Sequence, residues 1–577
     1  MNSKLSRRHL LSGLGAATGL AACSAPAPQT FTSPDTARAG RFAHGIASGD
    51  PTTNAVILWT RISPNDASAG EIDVIWEVAA TADFTSLIQS GVMTTFAARD
   101  WTVKVDATGL EAGATYYYRF RVGDQISPVG KTKTLPSGGV ASARFAVVSC
   151  ANWQEGFFNV YDHIGRQDHF DALIHLGDYY YEYGARDVEG TFAATQNRLH
   201  APAHEIITLT DYRQRHAQYR SDAALQSATQ NIAMISIWDD HETSNDSWRT
   251  GAENHDAGEG SWEDRKRAAL RAYYEWMPIR DPQAGRAQDA IFRHYNYGDL
   301  LSLVTVETRL LARSEPLIID DYFDMIREDG STQRFNEILN DPDRDMLGEV
   351  QTQFIIDTLS KSKAQGQPWR MLANQVVMGR VMSPDLTPHV QEDALASIEK
   401  AWGGVREFVE ISQYSLPTYP DSWDGYPAAR DRFYDRLSKA GIEDILVVTG
   451  DAHEFWVNDL THQSGKQMGV EIGTSSVSSN TLRDYMGPAA EDYALLMTQS
   501  NPDVRYYNPM LSGYIDLELT RQKGTARLIQ VSTTQSRDYT AIEAARFALR
   551  HTTSGSLNVK SPKGLNLKQR ALFHGLG

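Results

Sequence analysis

Four stretches of this 577-residue chain end an apolar run on residues able to bind a metal ion. RFAVVSC (144–150) closes on Cys150, and DALIHLGD (171–178) closes on Asp178, with Tyr181 three residues further on. NIAMISIWDD (231–240) closes on Asp239 and Asp240, followed by His241, Asn245 and Asp246. EDILVVTGD (443–451) closes on Asp451, and His453 lies just beyond it. Short β-branched runs bounded by turn signals read as buried strands. In open α/β sheets chemistry gathers outside the carboxyl ends of such strands. Gly177 permits a tight turn immediately before Asp178. One such ending has a bland explanation in a core cysteine, a capping aspartate or a tyrosine packed under a loop. Four endings together predict a shared rim, where converging carboxylates would repel one another unless cations neutralised them.

The donor types suggest which cations. A thiolate, a carboxylate and a phenolate from Cys150, Asp178 and Tyr181 suit Fe3+ better than zinc. The hard oxygen donors Asp239, Asp240, Asn245, Asp246 and Asp451 suit Ca2+ or another divalent ion. Asp178 lies between the two sets and is the natural bridging carboxylate. A centre of this kind generates hydroxide near neutral pH and clamps a phosphoryl group during in-line displacement. His241 is placed to hydrogen-bond phosphate or to protonate a leaving alcohol, and its alternative role is to orient Asp240. Arg309 is placed to grip phosphate bidentately, and its alternative is an ion pair with Glu307 or a nearby carboxylate. No Ser or Thr holds a matching strand-end position. Ser149 precedes Cys150 and, by strand alternation, is expected on the opposite face.

The elements that must position these residues occupy most of the chain. A length of 577 residues fits two or three domains, and 41% hydrophobic content supplies a sizeable core. The formal charge of −17 argues against a general binder of nucleic acid or anionic membrane. Residues 1–30 read as a targeting segment: Ser6-Arg7-Arg8-His9-Leu10-Leu11 is a twin-arginine pattern before a short apolar run. Leu20-Ala21-Ala22-Cys23 resembles a lipobox that would tether the product at Cys23, with a cut near Ala25 or Ala27 as the alternative. The expected location is therefore periplasmic or cell-surface, reached through the twin-arginine machinery. Cys23 and Cys150 are the only cysteines, so a processed, exported Cys150 has no internal partner unless it is buried or binds a metal.

After a linker at 31–40, residues 41–136 alternate short strands and turns and predict a small fibronectin-like β-sandwich. Residues 142–533 alternate strand-like and helix-like stretches, the signature of an α/β catalytic domain. Helices are expected over 211–224 and 261–276, and long loops covering the site over 310–345 and 380–425. GYIDLEL and TARLIQVST are expected as edge strands, and 534–577 as a partly helical tail.

With these residues in view, the chain resembles the PhoD-type alkaline phosphatases, a branch of the calcineurin-like metallophosphoesterases. The resemblance rests on HGIASGDPTTNAVILWTR (44–61), VVSCANWQEGFFNVY (147–161), HLGDYYYEYG (175–184) and EIITLTDYRQRHAQYRSD (205–222). WDDHETSND (238–246), DSWDGYPAAR (421–430) and VVTGDAHEFW (447–456) complete it. It implies an α/β metallophosphoesterase-like β-sandwich flanked by helices. It also implies iron at Cys150, Asp178 and Tyr181, calcium at Asp178, Asp240, Asp451 and Asn245 or Asp246, and His453 as a further ligand. Val148-Ser149-Cys150 replaces the usual Asp-X-His, and Asp240-His241-Glu242 replaces Asn-His-Glu, which favours iron with calcium over a zinc or manganese pair. Val306-Glu307-Thr308-Arg309 stands where relatives have Leu-Asp-Thr-Arg, which weakens Glu307 as a ligand. The function implied is hydrolysis of small phosphate esters. The alternative on the same scaffold is a phosphodiesterase or phospholipase-D-like hydrolase, and a rival of another class is a surface binding protein with structural calcium.

Overall fold

The computed structural model describes residues 40–66, 70–185, 191–390, 392, 395–396, 399, 404–553 and 555–560. The expected export segment, with Arg7, Arg8 and Cys23, lies outside these residues. Among the described residues the strands form sheets of ten, seven, five and two strands in a mixed α/β fold. The same residues include no helix long and apolar enough to cross a membrane.

The ten-stranded sheet runs in the order Leu557–Lys560, Ala541–His551, Gly524–Val531, Gly513–Thr520, Ser142–Val148, Ala172–His175, Met234–Ser236, Ile46–Gly49, Ala55–Arg61 and Thr102–Thr108. Its centre is parallel, with Phe145 opposite Ala172 and Leu173 opposite Met234. Fully buried, continuous apolar runs such as ALIH suit strands covered on both faces. The seven-stranded sheet centres on parallel strands Leu301–Thr305, Trp369–Ala373, Ile445–Thr449 and Gln467–Gly473. Val147, Ile174 and Ile235 of the first sheet share one core with Leu303, Met371 and Val448 of the second. The sheets draw together where Ser149 forms a parallel bridge to Ser476 and Thr474 Oγ1 donates to the Val147 carbonyl over 3.2 Å.

Three of the four metal-capable strand ends belong to the ten-stranded sheet, and the fourth, Ile445–Thr449, belongs to the seven-stranded one. The rim is thus the seam between two sheets rather than the edge of one.

The N-terminal region is all-β. Its five-stranded sheet packs Val74, Val78 and Phe120 against Val56, Leu58 and Val103 of the ten-stranded sheet. Gly49 joins the two regions beside Met234, and a Cβ there would lie 2.7 Å from the Met234 carbonyl oxygen.

Several expectations are corrected. The helix expected over 211–224 is two helices, Leu209–Arg220 and Ala223–Asn231, because Asp222 caps the second by accepting from Ala224 N. The stretch 310–345 contains helices Phe323–Asp329 and Gln333–Leu339, and 380–425 contains Val405–Ser412. Phe323, Ile326, Phe335, Leu339, Ile411 and Leu416 gather them into a small apolar cluster. Neither expected edge strand is one: Gly513–Thr520 lies between Ser142–Val148 and Gly524–Val531, and Gly524–Val531 lies between Gly513–Thr520 and Ala541–His551. The tail is not helical where described: Ala541–His551 pairs antiparallel with Gly524–Val531 and buries Ala544, Ala545, Phe547 and Leu549. Phe547, 1% exposed, meets Tyr506 edge-on at 5.3 Å. Phe547→Ala is therefore expected to cost about 3–5 kcal/mol in denaturant unfolding. A loss below about 1 kcal/mol would show that this strand is not part of the core.

Candidate metal centre

The strand-end residues that face the seam leave the extended conformation at once. Cys150 has φ 61°, Asp178 φ 53°, Asp246 φ 49°, Asp451 φ 65° and His453 φ 61°. Left-handed backbone at non-glycine residues costs energy and persists where the surroundings impose it. Those surroundings are visible. The buried carboxylate of Glu242 accepts from the backbone N–H of Asp178 (3.0 Å), Tyr179 (2.7 Å) and Asp239 (2.8 Å), clipping two strand ends together. Glu307 does the same on the second sheet. It accepts from Trp238 Nε1 at 3.0 Å and from the backbone N–H of Arg309, Leu310 and Leu311. Helix Leu209–Arg220 braces the loops from outside: Tyr212 donates to the Thr243 carbonyl over 2.5 Å, and Arg215 donates to the Tyr181 carbonyl.

The turn at Cys150 also explains Ser149. Expected on the opposite face, its Oγ instead lies 3.0 Å from Cys150 Sγ, because the left-handed residue breaks strand alternation. Ser149 is fully buried beneath the cluster.

The predicted donors converge. Cys150 Sγ lies 3.4 Å from Asp178 Oδ2, and Tyr181 OH donates to the same oxygen at 3.2 Å. His453 Nδ1 faces the Asn480 carbonyl at 2.8 Å, leaving Nε2 toward Tyr181 OH at 3.1 Å. Three groups bring their ligand atoms within 4.8 Å of one another: Cys150, Asp178 and His453; Asp178, Asp240 and His241; and Asp178, Asp239, Asp240 and Asp451. Asp178 belongs to all three. Asn245 points elsewhere, with Oδ1 accepting from Tyr183 at 3.0 Å and Nδ2 donating to Glu253 at 3.1 Å.

Arg309 is fully buried among these acids. Its guanidinium contacts Asp239, Asp421 and Asp451, with the Asp240 carboxylate 3.6 Å away. The ion-pair role is the one the geometry displays, with Asp239, Asp421 and Asp451 as its partners and not Glu307.

The electrostatics describe a site short of positive charge. Burial, reinforced by Asp240 and Asp239 and only partly offset by His241, holds Asp178 well above the usual carboxylate range. Burial and Asp239 do the same to Asp451, while burial takes Asp239 up to about 6. Burial and Asp178 push the Cys150 thiol and the Tyr181 phenol well up. Asp240, by contrast, is held low, because Arg309 and His241 outweigh its burial. Asp178 Oδ1, Asp239 Oδ2 and Asp240 Oδ1 are buried without a hydrogen-bond partner. Buried acceptors of this kind are rare, and convergent ones fit cations. The residues therefore fit a multi-metal site, with sulfur and phenol on one side and oxygen donors on the other.

Sequence reasoning missed Glu242 and Glu307 as clips, and it also missed Glu182. The Glu182 carboxylate, 0% exposed, lies 2.6 Å from His241 Nδ1 and accepts from Asn245 N and Asn254 Nδ2. It was legible only as an acid inside the HLGDYYYEYG motif. Asp421, in DSWDGYPAAR, was noted as motif and not as site.

The clip requires close approach at Gly177, which has φ 111°, and a Cβ there would lie 2.4 Å from Asp239 Cβ. Gly177→Ala is expected to cost about 2–4 kcal/mol in unfolding and to lower bound metal in the same preparation. Unchanged stability and metal content would show the two strand ends to be independent.

Comparison with known proteins identifies the family. The family pattern described as PhoD-like phosphatase matches residues 145–528, and that of the PhoD-like phosphatase N-terminal domain matches 26–136. Alkaline phosphatase D of Bacillus subtilis (strain 168) is 33% identical over 539 residues, covering 90% of this chain and 83% of that protein. A solved structure of PhoD superposes with a TM-score of 0.73 at 29% identity, covering 92% of this chain and 94% of the other. On the matched length and the shared arrangement, the chain belongs to the PhoD-like phosphatase family.

Proposed function

We propose that this chain is an exported, metal-dependent alkaline phosphatase that hydrolyses phosphate esters, monoesters first, and releases phosphate. The observation that supports it most directly is the convergence of three partnerless buried carboxylate oxygens beside Cys150 and Tyr181. Cys150, Asp178 and Tyr181, with His453 beside them, would hold Fe3+. Asp178, Asp239, Asp240 and Asp451, with Asn245 or Asp246 reoriented, would hold Ca2+. When bound, such ions supply Lewis-acid polarisation of the phosphoryl group and a more acidic water. The fold assignment that accompanies this reading is a metallophosphoesterase-like sandwich behind a fibronectin-like N-terminal domain.

The chain's own residues then divide the work. Glu182 fixes His241 through Nδ1, so Nε2 is the atom that gives a proton to the leaving alcohol. Arg309 orders Asp239, Asp421 and Asp451 around it. Ser149, buried against Cys150 Sγ, is a support and not a nucleophile. A phosphodiesterase on the same site is the second reading, favoured by a cavity of about 680 Å³ that adjoins the cluster.

Asp178→Asn is expected to abolish turnover, because Asp178 is common to every ligand group. His241→Ala is expected to lower turnover on an alkyl phosphate by roughly a hundredfold, and much less on a nitrophenyl ester, whose leaving group needs little protonation. Wild-type rates in both variants, or loss of turnover in Ser149→Ala with metals still bound, would overturn this assignment of roles. Elemental analysis of active protein should find iron and calcium, and zinc alone would refute the proposed ions. For delivery through the twin-arginine route, Arg7→Lys with Arg8→Lys should keep the precursor inside the cell, and mass spectrometry of the mature N-terminus should show lipid at Cys23.

A further inference from the structure

The cavity beside the metal centre is much larger than a phosphate needs. Its inner end is formed by Asp246, whose N–H donates to Asp240 Oδ2 at 2.7 Å, and by Asp421, which pairs with Arg309. It therefore adjoins the carboxylate cluster. Its volume, about 680 Å³, lies within the range of small-molecule sites. The walls are apolar: Phe323 and Ile411 come from the helices that replace the expected loops, Leu317 and Leu416 from the segments beside them, and Trp248 and Pro417 complete them. Phe323, Ile411 and Leu416 are buried, so the wall is packed from behind and holds its shape.

Charge is distributed unevenly along this cavity. At its mouth stand Glu253, Glu315 and Asp320, all exposed. Among the described residues that line it, none is Lys, Arg or His. Behind the lining, Arg309 and Arg313 pair with Asp421 at the inner end; toward the mouth an anionic group would meet carboxylates, whereas an alkyl chain meets apolar walls and a terminal ammonium meets acids.

We infer that this cavity is the subsite for the organic arm of the phosphate ester, and that it selects apolar arms carrying no negative charge, with a cationic end bound best. The inference rests on the hydrolase reading above and specifies the class of ester that the site accepts. The metal end draws the phosphoryl group, the walls take the carbon chain, and the acidic mouth sorts what the chain carries. Polyanionic esters bind poorly because their second charge falls in the acidic zone. Small monoesters bind weakly because they leave the walls uncovered.

Non-hydrolysable phosphonates with one organic arm test this, as competitive inhibitors of nitrophenyl phosphate hydrolysis by the metal-loaded protein. Hexylphosphonate is expected to inhibit at least about tenfold more tightly than methylphosphonate, because the added methylenes leave water for the wall. 6-Aminohexylphosphonate should bind at least as tightly as hexylphosphonate, and 5-carboxypentylphosphonate about tenfold more weakly. Replacing both Glu315→Gln and Asp320→Asn, exposed positions that should fold normally, should shrink the amine-to-carboxylate ratio to within about threefold. If nitrophenyl phosphate is not hydrolysed at all, the hydrolase reading itself falls. If it is hydrolysed while hexyl- and methylphosphonate inhibit equally, the cavity is no arm subsite. If chain length matters but amine and carboxylate bind alike, the charge selection is wrong.

Discussion

Everything at the centre of this protein follows from the burial of like charges. Asp178, Asp239 and Asp240 are buried and meet the partly exposed Asp451 at a seam, with Arg309 and His241 beside them as cations. Two carboxylates about 4 Å apart repel by about 4 kcal/mol even at a generous effective dielectric. No folded protein tolerates several such pairs fully ionised, so the acids are driven toward their neutral forms or toward cations. Arg309 relieves part of the load from within the chain. The partnerless oxygens of Asp178, Asp239 and Asp240 mark what it leaves unmet. Such oxygens are the part of the site best suited to the cations proposed above.

Holding acids in that arrangement demands rigid backbone, and the chain obtains it with other carboxylates. Glu242 and Glu307 do not join the convergent carboxylates; each gathers backbone N–H groups from a turn that would otherwise open. Left-handed residues cost about 1–3 kcal/mol apiece, and five occur within this small region. The same turns satisfy N–H groups that would be orphaned in a dry seam. Pre-organisation therefore rests on two chemically similar sets of acids, one bonded to backbone and one left unsatisfied. Swapping an acid between the sets would keep the composition and destroy the site.

The division explains what was legible in the sequence. The donors were readable because apolar strands that stop on Asp or Cys are a local pattern, and all four stops reach the seam. That they sit on two sheets was not readable, because strand pairing is set by long-range burial. Glu182 and Glu242 act on groups far along the chain or on backbone N–H, neither of which leaves a spacing signature. Ser149 was misread because strand alternation assumes extended backbone, and Cys150 leaves it. The segment AIEAARFALRH contains good helix formers, Ala, Arg and Leu, yet its register against Gly524–Val531 and the burial of Phe547 and Leu549 impose a strand. The helices between 319 and 339 were hidden by short length, and their packing partner lies near residue 411.

Net charge makes the last connection. A chain at −17 does not draw anionic esters from afar, since at physiological salt its field fades within about 8 Å. Attraction for phosphate must therefore be confined to the seam, where the ions proposed above would outweigh the acids that hold them. A short distance away the same acidity reappears at Glu315 and Asp320, across a cavity whose walls are apolar. With those ions bound, an incoming ester would meet both conditions along its length: a cationic pocket for one end and an acidic, greasy channel for the other. On that reading, affinity and selectivity come from opposite signs of charge in two adjoining spaces. Neutralising the surface as a whole would strengthen nonspecific attraction for anions and weaken the contrast that distinguishes one ester from another.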